Sequence, residues 1–126
     1  MERFSPSALA TALVPDPAGF LYIDRSKFQN VFANDLPKDE VAVLAATQKP
    51  IAGAIFGESV KVAAWKTIPS WYVVSTQDNA INPDLERFMA KRIGAETKEI
   101  KASHVSFISN PAEVAKVVEA AAAAAT

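Results

Sequence analysis

The chain has 126 residues, of which 50% are apolar and 21% charged, with a formal net charge of -1 and no cysteine. That length and balance describe one globular domain and exclude a disordered polymer. They also exclude a basic nucleic-acid groove, a polybasic membrane anchor, disulfides, thiolate metal sites and a cysteine nucleophile.

The first residues, Met1-Glu2-Arg3-Phe4-Ser5-Pro6, lack the basic-then-apolar order of a signal peptide. No apolar stretch reaches the roughly 18 residues that a membrane-spanning helix needs. The expected location is cytoplasmic, with no membrane and no nucleic-acid partner. Pro15, Asp16, Pro17 and Gly19 read as a turn. Phe20-Leu21-Tyr22-Ile23-Asp24 then predicts a brief strand. Ser26 predicts the cap of a short helix over 26–34, with Phe28, Val31 and Phe32 at helical spacing. A second helix starts near Pro37, carries Val41, Leu44 and Ala45 as its stripe, and ends before Pro50. A third short helix is expected over 51–56, stopped by Gly57.

From residue 67 the pattern changes. Trp71-Tyr72-Val73-Val74-Ser75 is aromatic and β-branched, and predicts a buried strand. After the polar Thr76-Gln77-Asp78-Asn79, Asn82 followed by Pro83 marks a helix start. Leu85, Phe88, Met89 and Ile93 give that helix its face, and Gly94 its stop. A second strand is expected over 96–100. Asn110-Pro111-Ala112-Glu113 reads as a capping box variant before a last helix lined by Val114, Val117, Val118 and Ala121.

Strand–helix–strand at this spacing implies two parallel strands joined by a right-handed crossover. A parallel pair alone leaves both edges open and is marginal. The expectation is therefore a homo-oligomer or a complementing chain that supplies neighbours for the sheet.

Asp78 follows the first of these strands and His104, the only histidine, follows the second. Parallel strands bring both loops to one carboxyl edge, where open α/β sheets place their ligands. A carboxylate there can accept the imidazole N–H, fix the tautomer and stabilise the imidazolium. The competing reading is an ordinary turn aspartate and a solvated histidine. Asp35, Asp39 and Glu40 read as a solvated helix start, and one histidine without cysteine gives no metal site. No phosphate loop or dinucleotide fingerprint is present, so no cofactor is expected.

Ile68-Pro69-Ser70-Trp71-Tyr72-Val73-Val74-Ser75-Thr76-Gln77-Asp78-Asn79-Ala80-Ile81-Asn82-Pro83 resembles the penultimate strand and acid loop of the α/β-hydrolases. Ala102-Ser103-His104-Val105 resembles their small-residue-then-histidine loop, and Asn110-Pro111-Ala112-Glu113-Val114 the start of their final helix. The resemblance is strongest over 67–120 and points toward small-molecule esterases, including the plant methyl esterase and hydroxynitrile lyase type. It implies an α/β fold in part: a helical lid segment over 1–66, then a parallel strand-helix-strand-helix unit over 67–126. It also implies that Asp78 is the acid and His104 the base of a Ser–His–Asp triad. Ser75 stands where the family usually has glycine, and Thr76-Gln77 replace a more acidic pair.

The nucleophile is the larger departure. The family carries its serine in G-x-S-x-G on a strand-to-helix turn, ahead of the acid and histidine. Here Gly53-Ala54-Ile55-Phe56-Gly57 has isoleucine at the centre, and Gly57-Glu58-Ser59-Val60-Lys61 lacks the second glycine. Ser103 and Ser106 flank His104 but fit no such turn. No oxyanion-hole loop is recognisable either. The resemblance thus implies the C-terminal portion of an esterase, inactive alone, whose ester-like substrate is met only when an N-terminal half completes it. The alternative is a non-catalytic module that binds a small ligand or a partner. Phe28, Phe32, Phe56 and Trp65 are candidates for lining a lid over something apolar, or simply for packing it.

Overall fold

The computed structural model describes residues 3–125. Its secondary elements fall into an antiparallel ribbon with two helices, then the expected α/β unit. No helix is long and apolar enough to cross a membrane.

The first part holds three short strands, β1 (Leu13–Pro15), β2 (Phe20–Ile23) and β3 (Ile51–Ala52), paired antiparallel in the order β1-β2-β3. The turn between β1 and β2 is the one that Pro15 to Gly19 foretell. Asp16 Oδ1 accepts the Ala18 and Phe20 N–H groups, and Gly19 takes φ +85°, a conformation favoured only for glycine. The strand preceding that turn is not legible in the sequence, because three residues ending in proline give no alternation to read. The helix expected over 51–56 is instead β3 followed by a 3-10 turn, Gly53–Gly57. The physical reason is backbone pairing: the Gly53 N–H donates to the Gly19 carbonyl at 2.9 Å, and a Cβ at Gly53 would stand 3.2 Å from that oxygen.

Helices α1 (Arg25–Phe32) and α2 (Lys38–Thr47) connect β2 to β3. Asp24, rather than Ser26, caps α1; its carboxylate accepts both the Ser26 N–H and hydroxyl. Pro37 precedes α2 as expected, with Asp39 and Glu40 in the first turn, where the helix dipole favours acids.

The second part follows its expected order. Strands β4 (Trp71–Ser75) and β5 (Glu96–Ile100) pair in parallel from Trp71↔Glu96 to Ser75↔Ile100. Helix α3 (Pro83–Arg92) crosses between them. Asn82 caps it through the Asp84 N–H, and Gly94, at φ +64°, closes it as Ala95 N–H reaches back to the Ala90 carbonyl. A short helix, α4 (Ser106–Ser109), not foreseen, follows the histidine loop and runs straight into α5 (Pro111–Ala124). That junction prevents the expected capping box. Asn110 must end α4 as well as start α5, so its amide donates to Ser109 Oγ while Glu113 pairs with Lys116.

The core lies between the two parts. Phe28, Ala33, Leu36, Val41 and Ala45 from the first part bury together with Val105 from the histidine loop. Ala12 and Val31 bury with Ala80 from the acid loop. The parallel pair is less covered: only Val74 and Ser75 of β4 are buried, and Trp71 is half-buried. Among the described residues β4 and β5 have no further strand neighbour.

Candidate active site

The β4–β5 ladder does not stop where the strands end. The Thr76 N–H donates to the Ile100 carbonyl at 2.9 Å and the Gln77 N–H to the Ala102 carbonyl at 3.0 Å. The acid loop and the histidine loop are therefore stitched side by side before either reaches Asp78 or His104.

At the end of that stitching His104 Nδ1 stands 2.7 Å from Asp78 Oδ2. The carboxylate is an acceptor, so the proton of the neutral ring sits on Nδ1 and Nε2 is the basic nitrogen. The second oxygen of Asp78 accepts the Ala80 and Ile81 N–H groups at 2.7 and 2.9 Å. The turn reading of Asp78 and the pairing reading thus hold together, one on each oxygen. The Asp78 side chain is 3% exposed and that of His104 31%.

Burial works against ionisation of Asp78. The His104 hydrogen bond, the Ile81 N–H, the His104 charge and the Ala80 N–H outweigh it, and the carboxyl stays below its ordinary range. His104 is shifted up, first by its hydrogen bond to Asp78; burial opposes this, and the negative charges of Asp78 and Glu86 add to it.

Hydrogen bonds with the first part hold these loops, among them the Ala8 N–H to the Asn79 carbonyl at 3.0 Å. Asn34 Nδ2 donates to the Gln77 carbonyl at 3.0 Å and Asn79 Nδ2 to the Asn30 carbonyl at 2.8 Å. Asp35 Oδ2 accepts the Ser103 N–H at 3.0 Å. Asp35 is exposed, as a helix-start aspartate should be, but it also clamps the residue before the histidine. Nothing in the sequence pattern marks Asn34 or Asp35 for this, because the contact is long-range.

His104 opens on a cavity of about 510 Å³ lined mainly by Leu9, Leu21, Phe28, Phe32, Phe56 and Ile108, with Lys49 its one charged side chain. The Phe32 ring lies 4.8 Å from the imidazole, tilted by 44°. Of the four aromatics read from the sequence, Phe28, Phe32 and Phe56 line this cavity and Trp65 does not. Phe28 also belongs to the core, so lining and packing are not alternatives there.

A second cavity, about 280 Å³, is lined by both members of the pair, Asp78 and His104, with Ser106, Tyr72 and Glu86. Glu86 is a buried carboxyl that periodicity passes over. It lies beside the apolar stripe of α3, one turn before the buried Ala90. Ser59 is exposed, and among the described residues no serine stands on a strand-to-helix turn facing His104.

A parallel β-α-β unit carrying an aspartate after one strand and a histidine after the next, hydrogen-bonded at the carboxyl edge, defines an α/β protein of hydrolase type. The comparison with family models agrees: the alpha/beta hydrolase family matches residues 1–117. The chain belongs to that family. No curated protein matches it.

Proposed function

We propose that this chain contributes the acid and base of an esterase-type Ser–His–Asp site. The observation that carries the reading is the 2.7 Å contact between His104 Nδ1 and Asp78, made at the wall of a largely apolar cavity. Asp78 holds the imidazole in the tautomer whose Nε2 accepts a proton. His104 takes that proton from a serine hydroxyl as its oxygen attacks the ester carbonyl, and returns it to the departing alkoxide. It then takes a proton from water, whose oxygen attacks the acyl-enzyme, and gives that proton to the departing serine oxygen as the carboxylic acid is freed. The serine and the oxyanion donors come from polypeptide outside this sequence. By itself the pair moves a proton but forms no acyl-enzyme.

In this reading residues 1–66 act as a lid and 67–126 as the terminal part of the catalytic core. Phe28, Phe32 and Phe56 favour a small apolar acyl or alcohol group. The open edges of β4 and β5 suit a complementing chain or a second copy.

The test is reconstitution. A polypeptide carrying the family's serine turn and preceding strands is mixed with this chain, and hydrolysis of short p-nitrophenyl esters is followed. Activity that needs both parts and disappears in His104→Ala supports the proposal; activity indifferent to His104 overturns it.

The cavity itself favours one second reading, a non-catalytic binder of small apolar ligands. In that case a fluorescent apolar probe binds the chain alone, and His104→Ala retains its affinity.

A further inference from the structure

Glu86 is 4% exposed, and few carboxyls are so buried without a partner for each oxygen. Its Oε2 accepts the Ser75 N–H at 3.2 Å, at the last paired residue of β4. Its Oε1 is buried and has no hydrogen-bond partner. The side chain shares the smaller cavity with Asp78 and His104. An ionised carboxylate there leaves an acceptor unsatisfied beside a second negative charge, and both features cost free energy. A proton on Glu86 removes the second charge and turns the orphaned oxygen into a donor, and Asp78 on the wall of the same cavity carries acceptors.

We infer that Glu86 is a positioning residue for the Asp78–His104 pair: neutral, it donates a hydrogen bond to Asp78; ionised, it makes His104 hold its proton more firmly. The inference rests on the reading of Asp78 and His104 as acid and base. The neutral form shares Asp78's charge with the imidazole and so weakens the base. The ionised form adds a negative charge to the same cavity and strengthens it. Between them Glu86 ties the strength of His104 to the solution pH.

The electrostatic surroundings agree. Burial, foremost, pushes the Glu86 carboxyl up to about 7; the Ser75 N–H and the His104 charge oppose this, and the charge and hydrogen bond of Asp78 add to it. The other titratable group facing it is Tyr72 on β4, itself shifted up by burial and then by the charges of Glu86 and Asp78. The nearby α3 charges Asp84 and Arg87 pair with each other, and Arg87 also with Glu99, at the surface.

Because the chain has one histidine, its imidazole Cε1–H gives one NMR signal that can be titrated in the whole protein without substrate. The wild-type curve is expected to show two inflections, one of them near neutrality from Glu86. Glu86→Gln keeps an acceptor for the Ser75 N–H and an amide donor for Asp78, so the fold is expected to persist. Its curve should have one inflection, lower by about half a pH unit or more as the neighbouring charge is lost. Asp78→Asn should lower the His104 midpoint as well. If Asp78→Asn shifts the curve and Glu86→Gln superimposes on wild type, the role of Glu86 is overturned and the pair stands. If neither shifts it, the acid–base reading falls too. A wild-type curve with one inflection of ordinary slope overturns the Glu86 inference without any variant.

Discussion

Asp35 and Ser103 lie 68 residues apart and meet in a 3.0 Å hydrogen bond, carboxylate to backbone N–H, one residue before the histidine. The bond joins the first part of the chain to the loop whose shape decides where the imidazole sits. Burial opposes ionisation of Asp35, but hydrogen bonds from Ser103 and Ser109 lower its affinity for a proton. Asp35→Ala leaves the buried Ser103 N–H without its acceptor. The expected cost is about 1–2 kcal/mol by urea denaturation. Hydrogen exchange should identify Ser103 as an amide that loses protection, with the β4–β5 amides little changed.

Removing Asp78 should cost more than removing His104. Asp78→Ala strips two backbone N–H groups of their acceptor and leaves the imidazole unpaired, whereas His104→Ala leaves an aspartate still hydrogen-bonded on one oxygen. About 2–4 kcal/mol is expected for the first and roughly half of that for the second. Equal losses in urea titrations would mean that the turn on Asp78 contributes little.

Stability should depend on pH in two opposite ways. The folded-state affinity of Asp78 for a proton is depressed, so its contribution is complete above the ordinary aspartate range and is lost as pH falls through the lower folded value. Glu86 is raised to about 7, so the chain gives up stability as pH rises from the ordinary glutamate range toward 7. The Glu86 effect should be on the order of 3 kcal/mol. Glu86→Gln should flatten it, as read from unfolding midpoints between about pH 4.5 and 8. His104, raised in the fold, contributes fully below the ordinary histidine value, and that contribution fades as pH climbs through its folded value.

The cavity aromatics should separate into packing and lining. Phe28 is 2% exposed and sits in the core, so Phe28→Ala should cost about 3–5 kcal/mol. Phe56 is 65% exposed at the cavity wall, so Phe56→Ala should change stability by less than about 0.5 kcal/mol. The same substitution should weaken binding of an apolar fluorescent probe several-fold. Unchanged probe affinity would remove Phe56 from the wall that a ligand touches.

The α/β unit was readable because its signals are local. Trp71 to Ser75 is dense in strand formers, Asn82-Pro83 starts a helix by itself, and Gly94 ends one. Asp78 and His104 were readable because two parallel strands leave their following loops at one edge. What escaped depends on contacts that sequence neighbours do not announce. β3 joins the ribbon where Gly53 meets Gly19. Asn34 and Asp35 act on loops far along the chain. Glu86 looks like an ordinary helix glutamate until the fold buries it against β4. The expected helix over 51–56 failed for the same reason, since its apolar spacing was genuine and the backbone of Gly19 claimed it first.

The ladder that continues from β4 and β5 into the two loops makes strand register a ruler for the Asp78–His104 contact. Asp78 and His104 each lie a few residues past the last paired residues, Ser75 and Ile100, and the Thr76 and Gln77 amides carry the count forward. Sliding β5 by one residue would carry the histidine past its acid and turn its alternate side chains to the wrong face. An extra residue in the turn after α3, by contrast, leaves the ruler intact. Length changes in this chain should therefore be tolerated between the strands and excluded from within them, whatever the residue inserted.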